Sequence, residues 1–232
     1  ANMNIGIIVA MEEELNEVIK EMEEVIEINY NNVIFYKGYM NKKECVLVKS
    51  GIGKVNAART TQILIDRFNV MQIINVGAAG GINEKLNIAD IVIAEKLVQY
   101  DFDISAFGRE KGFITGVGKY IDSNKELVKK CDHKMKEIYK DKNFNVIIGT
   151  IASGDKFCTD YNETKKIREE FEADCVEMEG AAIAQVCYLE NVPFIVIRSI
   201  SDTPNGNNNI EFDKYVSIAS KRCAVFLKKL LE

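Results

Sequence analysis

The chain has 232 residues, 47% apolar and 28% charged, a globular balance with enough length for a sizeable buried core. A net charge of −5 argues against a nucleic-acid or acidic-membrane binder, either of which would need a clustered basic face. The single histidine, His133, removes most triad, Cys-His and His-based zinc chemistry, and leaves catalysis to carboxylates.

In chain order, Asn4 to Ala10 is a short apolar β run, and Ala1-Asn2 ahead of Met3 reads as an addition before a natural start. Leu15, Val18, Ile19 and Met22 then fall on one helical face. Val33 to Met40 and Cys45 to Lys49 read as strands joined by a turn at Asn41-Lys42, and Gly51-Ile52-Gly53 leads into a helix bearing Ala57, Thr61, Leu64 and Phe68. The strand Gln72 to Val76 is expected to end in a glycine-rich turn, Gly77 to Gly81. Further strands are predicted at Ile91 to Ala94, Val146 to Ala152 and Phe194 to Ile200. The Lys-rich stretch from Lys125 to Lys142 alternates with apolar residues as a solvated helix face, which puts His133 at the surface. Asn205 to Asn209 reads as a mobile loop, and a last helix carries Tyr215, Ile218, Phe226 and Leu230.

Apolar strands alternating with amphipathic helices predict an α/β fold, a mixed sheet covered by helices on both faces. Two prolines and no linker-like composition point to a single domain over residues 1–232. The six cysteines (Cys45, Cys131, Cys158, Cys175, Cys187 and Cys223) form no CxxC pair and read as reduced core thiols of a cytoplasmic protein. No signal peptide or membrane span is expected.

Ligands in such sheets bind beyond the C-terminal strand ends. There the chain offers Met11-Glu12-Glu13-Glu14, the Gly77–Gly81 segment, Ser153-Gly154-Asp155-Lys156-Phe157 and Ser201-Asp202. Carboxylates, small residues and an aromatic at one rim suit a small polar molecule with a flat ring. Each segment also has a plain reading. Three glutamates favour any helix N-terminus, Ser201-Asp202-Thr203-Pro204 could be only a turn, and Glu177 and Glu179 point together or apart according to where the helix starts. Gly51-Ile52-Gly53-Lys54 lacks the residues of a phosphate loop, and the Gly77–Gly81 segment fails the dinucleotide pattern.

Taken together, IGIIVAMEEEL, KSGIGKVNAA, NVGAAGG, DISAFG, SGDKF, VEMEGAAIAQVC and VPFIVIRSISD resemble the 5′-methylthioadenosine/S-adenosylhomocysteine nucleosidase family of the nucleoside phosphorylase superfamily. The resemblance implies a three-layer sandwich with a central mixed sheet, hydrolysis of an N-glycosidic bond and release of adenine. It implies Asp202 as the acid toward N7 of adenine, oriented by Ser201, Glu14 as the base that activates water, and Glu179 as acceptor from the ribose hydroxyls. Met178 would pack on the ribose with Glu177 nearby, Phe157 would stack on adenine, and the backbone of Cys158 would read the base edge. Met11, Ile52 and Phe212 would line the sugar and 5′ pocket beside Ala78 and Gly80, Ala78 standing where many members have serine. Phe107 would reach into the neighbouring subunit of a homodimer. No metal or organic cofactor, nucleic acid or membrane partner is implied; the partner is a small-molecule nucleoside. Acidic residues and Asn75 stand where phosphorylases of the superfamily place arginines, which favours hydrolysis over phosphorolysis; a catalytically silent adenosine-binding protein is the other rival.

Overall fold

A computed structural model describes residues 3–140 and 142–232; Ala1, Asn2 and Asp141 lie outside the described residues. The expected apolar runs form strands because they are buried on both faces. Strand β1 (Ile5–Val9) is buried throughout, and β4 (Lys43–Lys49) and β5 (Gln72–Gly81) lie parallel on either side of it. Beyond β4 come β3 (Val33–Met40) and the edge strand β2 (Glu23–Tyr30), both antiparallel. On the other side, β5 pairs in parallel with β10 (Phe194–Asp202) and antiparallel with β9 (Cys175–Glu177). Strand β6 (Ile91–Gln99) runs antiparallel to β10 and parallel to β8 (Val146–Ser153), and β8 pairs with β9. The pairings β5–β10–β6–β8–β9–β5 therefore close a ring, and β1, β4, β3 and β2 extend from it as an open wing. A short β7 (Ile121–Asp122) pairs with β6.

Helices cover both faces, as a mixed α/β sheet requires. Helices α1 (Glu12–Ile19), α3 (Lys125–Tyr139) and α6 (Asn208–Leu230) pack Leu15, Val18, Met135, Phe226 and Leu227 against Ile7, Ile74, Ile195 and Ile197. Helices α2 (Lys54–Phe68) and α5 (Gly180–Glu190) pack Leu64, Ala181, Ile183 and Ala184 against Ile8, Ile73 and Val196 on the opposite face. Ile195 and Ile197 go to one layer and Val196 to the other, the period-two alternation of a strand between two cores. Helix α4 (Tyr161–Phe171) closes a smaller cluster around Phe171 and Val176.

The structure corrects three expectations. The Gly77–Gly81 segment is not a turn. Strand β5 continues to Gly81, because Gly80 pairs with Asp202 of β10 and with Val176 of β9. Helix α1 stops at Ile19, and Met22 enters the core from the turn before β2. Asn205–Asn209 is only partly a loop, since Asn208 begins α6 and is fully buried. The Lys-rich stretch is α3 as expected, with Asn124 capping its N-terminus and His133 74% exposed beside Glu137. All six cysteines are buried and unpaired. Among the described residues, no helix is long and apolar enough to cross a membrane.

Candidate active site

The C-terminal parts of β1, β5, β9 and β10 open on one cavity of about 430 Å³. Met11, Glu14, Ile52, Ala78, Gly80, Phe157, Glu177, Met178, Glu179, Ser201, Asp202 and Phe212 all line it. Cys158 and Phe107 do not.

Of the three consecutive glutamates, the helix register turns only one inward. Glu12 pairs with Lys49 at 2.7 Å on the surface and Glu13 is exposed, whereas Glu14 is 1% exposed. Its Oε1 accepts from the backbone N–H of Ala10 at 3.1 Å and of Met11 at 3.0 Å, so the carboxylate occupies the donor-rich end of α1. Burial nevertheless pushes Glu14 up to about 7, against the opposing pull of Arg198 and the two N–H groups. Gly77 leaves room here for both side chains. A Cβ at that position would lie 3.1 Å from Glu14 Oε2 and 3.4 Å from Arg198 Nη1.

Glu177 and Glu179 diverge because the strand ends at one and the helix begins after the other. Glu177 closes β9, and its carboxylate is fully engaged. Arg198 Nε donates to it at 3.0 Å and Nη2 donates to it as well, with further bonds from the Ser153 hydroxyl and from Gly180 N–H at 2.8 Å. Arg198 also donates at 2.6 Å to Asn75, which itself donates to the Ile8 carbonyl. Glu177 therefore borders the cavity while its charge is paired with the buried arginine. Glu179 precedes α5 and accepts from Gly53 N–H at 2.9 Å. Burial raises its affinity for a proton, and the neighbouring Glu177 charge raises it further.

Asp202 is 2% exposed, with Oδ1 accepting from the Ser201 hydroxyl at 2.8 Å and Oδ2 from Asn208 Nδ2 at 2.8 Å. Burial shifts it upward from the ordinary aspartate range, and both hydrogen bonds oppose that shift. Phe157 and Phe212 meet edge to face at 5.6 Å, forming an aromatic wall of the cavity. Cys158 lies beside the aromatic wall, outside the cavity lining. Its side chain is buried against Tyr100, and its carbonyl already accepts from Asn208 at 2.9 Å. Phe107 stands 84% exposed on a single 3-10 turn, Ser105–Phe107, outside the cavity.

Sequence reasoning did not assign site roles to Ser153, Asn208 or Gly77. Ser153 ends an apolar strand and belongs to the rim segment Ser153–Phe157, but nothing in the sequence gives it a role of its own. Asn208 sits in a run of asparagines and carries no distinguishing signal. Arg198 is the only basic side chain lining the cavity among the described residues, and Glu177 and Asn75 already hold it.

A family model described as the phosphorylase superfamily matches residues 4–232, and the chain belongs to that superfamily. Within the superfamily the chain belongs with the 5′-methylthioadenosine/S-adenosylhomocysteine nucleosidases. It is 41% identical over 229 residues to that nucleosidase of Staphylococcus haemolyticus, covering 98% of this chain and 99% of the relative. The S-adenosylhomocysteine nucleosidase of Streptococcus pyogenes, solved with 5-methylthiotubericidin, superposes with a TM-score of 0.95 at 39% identity, covering 100% of this chain and 97% of that one. The futalosine hydrolase of Helicobacter pylori is also similar, with a TM-score of 0.93, 34% identity, and coverage of 98% and 97%.

Proposed function

We propose that this chain hydrolyses the N-glycosidic bond of 5′-methylthioadenosine and S-adenosylhomocysteine, releasing adenine and the 5-thio-substituted ribose. The observation that carries the proposal is the set of three buried carboxylates, Glu14, Glu179 and Asp202, lining one cavity whose only basic group is held by other side chains. Adenine is a poor leaving group until protonated, and the ribose becomes cationic as the bond to it breaks. In this reading Asp202 donates its proton to N7 as the C1′–N9 electron pair passes to the base. Water then attacks C1′ and yields a proton to Glu14. Glu179 accepts from the ribose hydroxyls, and its charge favours the cation. The enzyme is left with Glu14 protonated and Asp202 ionised, and solvent restores both.

The upward shifts suit these tasks. Burial makes Asp202 a better proton carrier and brings Glu14 near neutrality, where a general base works best. Phe157 supplies a face for adenine, and Met11, Ile52 and Met178 supply apolar contact to the sugar side. A phosphorylase would need cationic donors for a phosphate dianion. Arg198 is already bonded to Glu177 and Asn75, so water is the nucleophile the cavity suits. Phe107, exposed on its turn, is proposed to reach the cavity of a second copy in a homodimer.

Adenine release from both nucleosides, measured for the parent enzyme and for Asp202→Asn and Glu14→Gln, tests the assignment. Each variant should lose activity by roughly 10²- to 10⁴-fold. Near-normal turnover by either would remove that residue from the mechanism.

A further inference from the structure

We infer that Asn208 is a positioning residue for the acid, a clamp that sets Asp202 against the Phe157–Cys158 segment when the start of α6 is docked. The inference rests on the reading of Asp202 as proton donor. Asn208 is the first residue of α6 and is fully buried. Its Nδ2 lies 2.8 Å from Asp202 Oδ2 and 2.9 Å from the Cys158 carbonyl. Both neighbours are acceptors, which fixes the orientation of the amide and uses both of its N–H groups. Its Oδ1 has no hydrogen-bond partner. All the hydrogen bonding of this side chain therefore goes to joining the acid with the segment that carries the stacking ring.

Two consequences follow for Asp202. Ser201 holds Oδ1 and Asn208 holds Oδ2, so the plane of the carboxyl is fixed while the residue remains in the cavity lining. An N–H donated to Oδ2 also favours the ionised form and tempers the effect of burial. The other ionisable groups around Asp202 are Glu211 on α6, Cys175 on β9, and Glu14, Glu177, Glu179, Arg198 and Asp213 around the cavity. None of these donates a hydrogen bond to the Asp202 carboxyl. Phe212 and Asp213, one turn further along α6, line the same cavity, so docking the helix start brings the acid and the aromatic wall into place together.

The test compares Asn208→Leu and Asn208→Ser with the parent enzyme and with Asp202→Asn, reading kcat, KM and the pH dependence of kcat/KM, with thermal melting to verify folding. Leucine keeps the volume and removes the donors, and Asn208→Ala is the smaller donor-free alternative should leucine fail to fold, while a serine hydroxyl that still donates should retain part of the activity. For the donor-free variants the clamp predicts a kcat about ten- to a hundredfold lower with little change in KM. It also predicts that the alkaline limb of kcat/KM moves to higher pH, because a donor to the ionised acid is gone. Folded donor-free variants with parental kcat, or with reduced kcat and an unmoved alkaline limb, would overturn it. An active Asp202→Asn enzyme would remove the acid and the clamp with it. An inactive one beside unaffected Asn208 variants would overturn the clamp alone.

Discussion

At the scale of single residues, the run Glu12-Glu13-Glu14 shows how position decides chemistry. Three identical side chains meet surface lysine, open water and a buried cavity in turn. Only Glu14 loses solvation, and its proton affinity rises from an ordinary 4.5 to about 7. The folded protein thus holds this proton more tightly than the unfolded chain does. The stability that Glu14 contributes by binding it is fully present below about pH 4.5 and is lost as pH rises through about 7. The shift corresponds to about 3 kcal/mol. Glu14→Gln should therefore be more stable to unfolding than the parent at pH 8, by up to that amount, and should match it at pH 4. An equal difference at both values would contradict the burial argument. As the proposed base, Glu14 must be ionised, so kcat/KM of the parent should fall about tenfold per unit below about pH 7. A profile flat down to pH 5 would take the base role from Glu14.

At the scale of elements, β5 carries the site by having almost no side chains at its end. Gly77 admits Glu14 and Arg198, and Gly80 admits Asp202, for which an added Cβ would lie 3.1 Å from Oδ2. Gly77→Ala should leave the sheet intact and displace Glu14, lowering kcat by at least about tenfold. Unchanged kinetics with unchanged melting would show that the neighbours yield freely. The same strand marks the limit of what the sequence makes legible. The doubly buried strands stand out as apolar runs, but the glycines at the end of β5 resemble a turn until the pairing of β9 and β10 is seen. Strand β2 went unpredicted because it is an edge, where Glu23, Glu24, Glu27 and Asn29 face water and blunt further pairing. Asn208 was hidden for a different reason. In the run Asn205-Gly206-Asn207-Asn208-Asn209, only contact with Asp202 and Cys158 distinguishes a buried helix start from a loop. Glu14, Glu179 and Asp202 were named through family resemblance, and the fold brings all three to one cavity. Glu177 could not be separated from Glu179 by spacing, since the strand-to-helix junction between them decides which one meets the arginine.

At the scale of the whole molecule, Phe107 stands 84% exposed on its turn, and Ile52 at the cavity and Val55 beyond it are also exposed. The proposed homodimer would cover such apolar surface. Sedimentation at assay concentration should show a dimer, and Phe107→Ala should lower kcat/KM without lowering the melting temperature of the subunit. A fully active monomer would contradict this. The central claim is that water, and not phosphate, receives the ribose. Purified enzyme incubated with 5′-methylthioadenosine, with and without added phosphate, tests it most directly when the sugar product is identified. Equal release of adenine is expected in both incubations, with free methylthioribose as the product. Strict dependence on phosphate with a sugar 1-phosphate product would contradict it.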